Sequence, residues 1–359
     1  MTGRLSVWPP LPPGAHLRPA GAAPPFPLSD PRCRVYARAR HGVYHGVRAL
    51  GLGPGDEVLV PAFHHGSEVE ALARAGLRCR FYDGDEALAP DEGELEGLLG
   101  PRVRALYLTH FLGFPQDGAR WRAWADRRGL LLIEDGAMAW LAERDGRPAG
   151  VHGDLAVWCL YKTVGVPDGG AAVASAPLPA PGPASLGAPA VVRRHGAWLA
   201  ARWGLVGSRR AGQAGAPYDP EADFALGDAA SAPVRLTRRL LPRLADPGVA
   251  AARRAGYHVM FGALGELVPP PFAELPGGAS PFVFPIAVSG KAAAVRRLAE
   301  LGIDALALWS APHPSLDAGA FPRAGRLRET VVGLPVHQEL RPQDLARIVR
   351  VVRQLRSRW

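Results

Sequence analysis

The sequence predicts an α/β fold with a mainly parallel sheet, because short apolar runs alternate along it with stretches of helical periodicity. Two of these runs, Leu130–Ile133 and Leu155–Leu160, have the length and continuous apolar character of strands buried on both faces. A reactive residue follows each run, Asp135 after the first and Lys162 after the second. Ligands bind beyond the carboxyl ends of such strands, so we expect Asp135 and Lys162 to lie over one cleft.

Composition favours a globular protein, since 48% of the 359 residues are hydrophobic and 21% are charged. The net charge of +9 comes from scattered arginines, without a basic run interleaved with aromatic residues, so no nucleic-acid partner is predicted. A mildly basic surface would instead suit an anionic small molecule. No run is long enough to span a bilayer, and the three cysteines form no CxxC pair, which favours a cytoplasmic protein with reduced thiols.

The chain divides into three predicted parts. Residues 1–31 are rich in proline and predict an extended arm that lies on the body or on a partner subunit. Residues 32–244 form the predicted large α/β domain, with an irregular insertion at about 176–235 that is rich in proline, glycine and alanine at its start. Residues 245–359 form a predicted smaller α+β domain.

Within the large domain, Val43, Val47 and Leu50 share one helical face, and Gly51 ends that helix. Ser67 and Glu70 have the spacing of a capping box, which predicts a helix beginning at Ser67. The other predicted strands of this domain are Glu57–Val60, Arg78–Tyr82 and Arg104–Thr109, and the other predicted helices are Glu92–Leu99, Trp121–Arg128, Val191–Trp203 and Leu236–Leu244.

The smaller domain shows the same two periodicities. Its last segment, Pro342–Arg356, places proline in the first turn and apolar residues on one face, which is typical of an amphipathic helix. The other predicted elements are the helices Val249–Leu264 and Ala292–Leu301 and the strands Phe282–Val288 and Ile303–Leu308.

Lysine usage singles out Lys162. The chain has 42 lysines and arginines together, but its only lysines are Lys162 and Lys291. Only a primary amine forms a Schiff base with a carbonyl cofactor, and a carboxylate opposite a pyridine nitrogen keeps that nitrogen protonated. Asp135 and Lys162 therefore fit the two roles that pyridoxal 5′-phosphate (PLP) requires. The alternative is a surface lysine that caps a strand.

Several linked motifs then resemble one family. IED-x-A at Ile133–Ala137 is followed by GD-x-AV, Lys162 and a loop closing on two glycines. Further segments agree in order: ALGLGPGDEVLVPAF at Ala49–Phe63, THFLGFPQD at Thr109–Asp117 and LPVHQEL at Leu334–Leu340. Over roughly residues 34 to 356 the chain resembles the DegT/DnrJ/StrS family of nucleotide-sugar aminotransferases. The resemblance implies a PLP-dependent transferase of fold type I, similar to aspartate aminotransferase, whose last large-domain strand runs antiparallel.

The resemblance also implies where the cofactor phosphate binds. Arg40, His41 and Gly42 align with the family's phosphate-binding turn, although no hydroxyl stands there. The start of a helix suits a phosphate because free N–H groups and the helix dipole favour an anion. Cys159 occupies the position of a family serine that bonds the phosphate, and a thiol is only a weak donor.

Two further positions complete the implied cofactor site. His65 aligns with the ring that stacks on PLP in the family. Met138 stands three residues after Asp135, where the family places a histidine or glutamine that bonds the 3′ oxygen of the cofactor. The methionine sulfur cannot donate a hydrogen bond. No metal site is predicted.

The function implied by the resemblance is amino transfer. The donor would be glutamate or glutamine, and the acceptor a keto sugar carried on a nucleotide or a related cyclic ketone. Lys162 would act as general base and acid, Asp135 would hold the ring nitrogen, and the enzyme would be a homodimer with its active sites at the interface. Two alternatives stay open: another PLP-dependent reaction, such as decarboxylation or elimination in natural-product biosynthesis, and a non-catalytic PLP-binding protein.

Overall fold

The computed structural model of the chain describes residues 3–21, 23–203 and 218–356. Residues 204–217, part of the predicted irregular insertion, lie outside the described residues. The strands are β1 Leu5–Ser6, β2 Arg34–Tyr36, β3 Glu57–Pro61, β4 Arg78–Tyr82, β5 Val103–Thr109, β6 Leu131–Asp135, β7 Glu143–Arg144, β8 Arg147–Pro148, β9 Leu155–Cys159, β10 Gly170–Ala174, β11 Phe284–Ala287, β12 Ile303–Asp304, β13 Leu306–Ala307 and β14 Val331–Leu334.

The helices agree closely with the predicted amphipathic segments. Two of them begin at aspartate caps, because Asp91 and Asp117 accept backbone N–H bonds at the starts of α3 and α4. The helices are α1 Ala39–Ala49, α2 Ser67–Arg74, α3 Glu92–Leu98, α4 Gly118–Asp126, α5 Leu160–Thr163, α6 Ala188–Trp203, α7 Pro220–Asp223, α8 Arg235–Leu244, α9 Gly248–Leu264, α10 Lys291–Glu300, α11 Pro322–Thr330 and α12 Pro342–Leu355.

The main sheet has seven strands in the order β2-β10-β9-β6-β5-β3-β4. The five strands from β9 to β4 are parallel, whereas β10 pairs antiparallel with both β9 and β2. This confirms the predicted mainly parallel sheet with an antiparallel returning strand. The order places the carboxyl ends of β9, β6 and β5 side by side, and these are the strands that precede Lys162 and contain Asp135 and Thr109.

Both faces of the sheet are covered, as the continuous apolar runs predicted. Alternate residues of β6 point to opposite sides, so Ile133 joins a core with helix α1 while Leu132 joins a core with the tryptophans of α4. Both of these side chains have no measurable exposure. A strand that alternates polar and apolar residues could bury only one of its faces.

A second sheet of three strands, in the order β11-β14-β13, lies in the C-terminal part and is antiparallel throughout. The arm at the N-terminus is attached to this part, because β1 pairs in parallel with β12 and Arg4 forms an ion pair with Asp304. Among the described helices, none is both long enough and apolar enough to cross a bilayer.

Two local predictions were wrong. Helix α2 begins at Ser67 as predicted, but the capping box is absent: Gly66 precedes the helix without a side-chain cap, and Glu70 bonds Arg74 and His313 instead. The single predicted strand Ile303–Leu308 is divided into β12 and β13, which pair with different partners. In both cases a tertiary partner competes successfully with the local pattern.

Candidate active site

A cavity of about 470 Å³ opens at the carboxyl ends of β5, β6 and β9. Most of the candidate site residues line it, and these are Arg40, His65, Asp135, Met138, Cys159 and Lys162. The position is the one expected for a ligand site in a parallel sheet. Its size lies within the range of cavities that bind small molecules and cofactors.

Asp135 ends β6, and its side chain is 7% exposed. The Tyr107 hydroxyl donates to its Oδ2 at 2.9 Å, and the Ala137 N–H donates to its Oδ1 at 2.7 Å. Burial and the nearby Glu68 carboxylate raise the pKa of Asp135 from 3.8 to about 6, against the opposing effects of Ala137, Lys162 and Tyr107. The carboxylate is thus fixed in place but has no cation in direct contact among the described residues, and a protonated pyridine nitrogen would provide one.

Lys162 lies in the short helical turn α5, because β9 ends at Cys159 rather than at the predicted Leu160. Its amine makes no hydrogen bond with any described residue and lies 5.8 Å from the centre of the Phe282 ring. The turn itself is held by the buried Arg253 of α9, which donates to the Lys162 carbonyl at 3.2 Å and the Thr163 carbonyl at 2.8 Å. The backbone is therefore fixed while the amine stays available to a ligand.

Lys291, the other lysine, has the opposite environment. Its amine is buried away from the cavity and donates to the carbonyls of Leu308 and Arg328, each at 2.7 Å. Burial, together with the charge of Arg328, lowers the pKa of Lys291 to about 7. These contacts give it a structural role and leave Lys162 as the lysine that faces the cavity.

Of the predicted phosphate turn, only Arg40 lines the cavity. Helix α1 begins at Ala39, and it is Arg38, Ala39 and Arg40 that line the cavity. His41 and Gly42 lie inside the helix and do not line it. The first N–H groups of a helix generally lack a partner within it, although the His41 N–H donates to the Arg38 carbonyl at 3.2 Å. The start of α1, on the cavity wall, is therefore where this helix would favour an anion.

Local packing explains why His41 and Gly42 belong to the helix interior. The His41 side chain is 5% exposed and packs edge-on against Phe224, with ring centres 5.7 Å apart, and burial lowers its pKa to about 4. A Cβ on Gly42 would lie 2.7 Å from the Cβ of Ala172 on β10. Glycine at this position allows the helix to approach the sheet closely.

His65, Met138 and Cys159 all reach the cavity. His65 is open to the cavity but lies well inside the protein, so loss of bulk solvent lowers its pKa; Lys162 acts in the same direction and Glu68 opposes it. The lowered pKa favours the neutral form of the imidazole, and its ring lines the cavity. Met138 and Cys159 are each 6% exposed and add soft, weakly polar surface.

Two polar residues in the cavity were missed by sequence reasoning. Glu68, on the first turn of α2, is 8% exposed and accepts the His65 N–H at 3.1 Å. Burial opposes its ionisation, but His64 and His65 outweigh that effect, so its pKa is lowered. Thr109, at the end of β5, is 4% exposed, and its hydroxyl has no hydrogen-bond partner in the described protein. Glu68 belongs to none of the motifs quoted above, and Thr109 opens the motif Thr109–Asp117, which did not by itself indicate a role for the hydroxyl.

The rim of the cavity is built by distant segments. Trp8 of the N-terminal arm packs against Phe282, with ring centres 5.5 Å apart, so the arm forms part of the wall. On the opposite side Asp223 of α7 forms an ion pair with Arg40 and accepts the Tyr218 hydroxyl at 2.7 Å. Arg38 stays free of carboxylates in the described residues, with its guanidinium 5.4 Å from the centre of the Tyr161 ring.

The cavity fits the predicted cofactor. It contains an amine without a hydrogen bond, a buried carboxylate fixed by two donors, a helix start flanked by arginines and one hydroxyl without a partner among the described residues. A phosphorylated pyridine aldehyde has one group for each of these: a carbonyl, a ring nitrogen, a phosphate and a phenolic oxygen.

Comparison with known proteins finds matches in the family that the sequence motifs resemble. Residues 35–187 match the model of the DegT/DnrJ/EryC1/StrS aminotransferase family. A UDP-N-acetyl-3-dehydro-alpha-D-glucosamine 3-aminotransferase from Acidithiobacillus ferrooxidans is 28% identical over 336 residues, which cover 87% of this chain and 84% of that protein. A dTDP-3-amino-3,4,6-trideoxy-alpha-D-glucose transaminase from Micromonospora megalomicea is 37% identical over 155 residues, 38% of this chain and 41% of that protein.

Solved structures agree over nearly the whole chain. The aminotransferase TlmJ from Streptoalloteichus hindustanus superposes with a TM-score of 0.64 at 26% identity and covers 90% of this chain and 85% of its own. The putative sugar aminotransferase Spr1654 from Streptococcus pneumoniae, in its apo form, superposes with a TM-score of 0.67 at 16% identity and covers 98% of this chain and 97% of its own. The second likeness concerns the fold alone.

Proposed function

With the chain identified as a member of the DegT/DnrJ/EryC1/StrS aminotransferase family, we propose that it moves an amino group from an amino acid to a keto sugar carried on a nucleotide. It is a PLP-dependent aminotransferase of fold type I. The observation that carries the proposal is the pair formed by the free amine of Lys162 and the buried carboxylate of Asp135 on one cavity.

PLP, when bound, supplies an electron sink for the carbanion that amino transfer requires. Lys162 would bind its carbonyl carbon and, once displaced, would carry a proton between the substrate carbon and the cofactor carbon as general base and acid. Asp135 would hold a proton on the ring nitrogen. Tyr107 and the Ala137 N–H keep the carboxylate in the orientation that this task needs.

The other residues that would contact the cofactor are assigned from their positions on the cavity wall. The start of α1, with Arg38 and Arg40, would hold the phosphate through backbone N–H groups and positive charge. His65 would lie against the ring, and Met138 and Cys159 would pack around it. Trp8 and Phe282 form an aromatic wall beside the amine of Lys162.

The proposal also includes the amino-group donor and the oligomeric state. We infer glutamate or glutamine as donor from the family resemblance, and a homodimer as the working form. Support for a dimer comes from exposed apolar residues of the insertion: Val192 and Leu199 lie seven residues apart on one face of α6, and Leu186 and Leu226 are exposed before and after this helix. A second copy of the chain would cover this set. A cytoplasmic location agrees with three free thiols.

The test is incubation of the PLP-loaded protein with glutamate and, separately, with glutamine. Formation of pyridoxamine phosphate, detected by mass spectrometry, is the expected result. A product released from an amino acid without pyridoxamine phosphate would instead indicate decarboxylation or elimination. An unchanged absorption spectrum with a panel of amino acids would indicate a non-catalytic PLP-binding protein and would overturn the proposal.

A further inference from the structure

Thr109 carries a hydroxyl whose partner is absent from the described protein. Its side chain is 4% exposed and lines the cavity, and its Oγ1 makes no hydrogen bond with any residue that the structure describes. Buried hydroxyls are nearly always paired, because leaving one unpaired costs the free energy of its lost hydration. A buried, unpaired donor on a cavity wall is therefore a sign that a ligand atom completes it.

The sheet register fixes where this hydroxyl lies. Thr109 on β5 pairs directly with Asp135 on β6, and adjacent strands are about 4.8 Å apart. Tyr107, two residues earlier, has its side chain on the same face and reaches Asp135 with its hydroxyl. Thr109 and Asp135 are thus neighbouring polar groups on one wall. The Thr109 hydroxyl makes no hydrogen bond with either carboxylate oxygen, so Asp135 is not its partner among the described residues.

The anion site lies on the other side of Asp135. Helix α1, whose start forms that site, packs on β9 and β10, and β9 is the neighbour of β6 opposite to β5. Across the cavity the order is therefore the α1 start, then Asp135, then Thr109. A ring nitrogen held by Asp135 would have the anion site to one side of it and the Thr109 hydroxyl to the other.

PLP has a matching arrangement of groups. Its phosphate arm and its phenolic oxygen occupy the two ring positions that are meta to the nitrogen, on opposite sides. We propose that Thr109 donates a hydrogen bond to the phenolic oxygen of bound PLP, at the place where Met138 offers no donor. This inference rests on the proposed function, since it requires PLP to be the cofactor.

The test compares Thr109→Val, which keeps the shape and removes the hydroxyl, with Thr109→Ser, which keeps the hydroxyl. Thr109→Ala serves as a second variant without a donor. The matched control is Thr237→Val, because Thr237 is also fully buried but its hydroxyl already donates to Asp168 at 2.6 Å and lies outside the cavity. Three quantities are measured: the dissociation constant of PLP, the pH midpoint of the bound cofactor's absorption band, and the melting temperature of the cofactor-free protein.

We expect Thr109→Val and Thr109→Ala to weaken PLP binding by roughly 10- to 100-fold, the loss typical of a hydrogen bond to a charged oxygen. The pH midpoint should rise by about one unit, because the donor stabilises the phenolate most when the Schiff-base nitrogen has lost its proton. Thr109→Ser should stay close to wild type in both. Thr109→Val should not lower the melting temperature of the cofactor-free protein, whereas Thr237→Val should lower it and leave the pH midpoint unchanged.

The possible outcomes distinguish the role of Thr109 from the proposed PLP-dependent function on which it depends. If wild type binds PLP and the valine and alanine variants bind it equally well with the same pH midpoint, the role of Thr109 is refuted while the function stands. If Thr109→Val destabilises the cofactor-free protein as Thr237→Val does and leaves PLP binding unchanged, Thr109 is structural only. If wild type fails to bind PLP, the proposed function and this inference both fall.

Discussion

The carboxylate of Asp135 is expected to destabilise the cofactor-free protein, and Asp135→Asn should reveal this cost. The side chain is 7% exposed, and burial together with Glu68 raises its pKa from 3.8 to about 6. An amide of the same shape keeps both local bonds, since its oxygen accepts from Ala137 and its NH₂ donates to the Tyr107 oxygen. The substitution therefore removes the charge and little else.

The size and sign follow from the pKa. A shift from 3.8 to about 6 corresponds to about 3 kcal/mol of unfavourable free energy for the ionised folded form. Below pH 3.8 the carboxyl is protonated in both the folded and the unfolded protein, so it costs no stability. As the pH rises through 6 the folded protein must also lose the proton, and the full destabilisation by the buried charge is reached. The wild type should therefore lose stability relative to Asp135→Asn over this window.

The measurement is urea denaturation of the cofactor-free proteins between about pH 4.5 and about pH 7.5. The free energy of unfolding of Asp135→Asn, relative to wild type, should rise by roughly 2 kcal/mol across that range. Asp344→Asn is the control of opposite sign. Burial alone would raise the pKa of Asp344, but its bonds with Arg341 lower it overall from 3.8. Its contribution to stability is therefore already present throughout this pH range, so Asp344→Asn should be less stable than wild type by a nearly constant amount. Parallel stability curves for wild type and Asp135→Asn would refute the reasoning.

The same variant tests catalysis. Asp135→Asn should still bind PLP through the start of α1 and Lys162. Proton transfer should be much slower, because an amide cannot hold a positive charge on the ring nitrogen and several kcal/mol of electrostatic stabilisation are lost. Single-turnover transamination measures this step. Activity within about tenfold of wild type would contradict the role of Asp135.

Three further predictions concern other parts of the site and the assembly. Lys162→Ala should abolish the covalent link to PLP; borohydride reduction and peptide mapping of the wild type should find the pyridoxyl group on Lys162, and an adduct on the carbonyl-bound Lys291 would contradict the assignment. Met138→His or Met138→Gln should place a donor in the cavity and change the pH titration of the cofactor absorption band, and two unchanged titrations would show that position 138 does not reach the phenolic oxygen. Sedimentation should show a dimer, and a fully active monomer would refute the proposed assembly.

Strand ends can be predicted from the sequence because a parallel sheet follows a simple rule. Uninterrupted apolar runs must be buried on both faces, and their carboxyl ends then meet at one edge, so the sequence places Asp135 and Lys162 over the same cleft. The first turn of α1, predicted at Arg40–Gly42, begins one residue earlier, at Ala39. The apolar face of α1 was correctly identified, but the position of a helix start depends on how closely the helix approaches the sheet, and Gly170 on β10 allows that approach at Ala39.

The sequence by itself therefore determined the α/β class, the lysine and the acid, because each depends on a local pattern and on residue chemistry. Only the tertiary structure decided what surrounds them. Glu68 and Thr109 come from α2 and β5, and Trp8 from an arm that pairs with β12, and no local pattern links segments so far apart in the chain. Register decides this proximity: the pairing of Thr109 with Asp135 places an unpaired hydroxyl beside the buried acid, and that contact exists only once the sheet has formed.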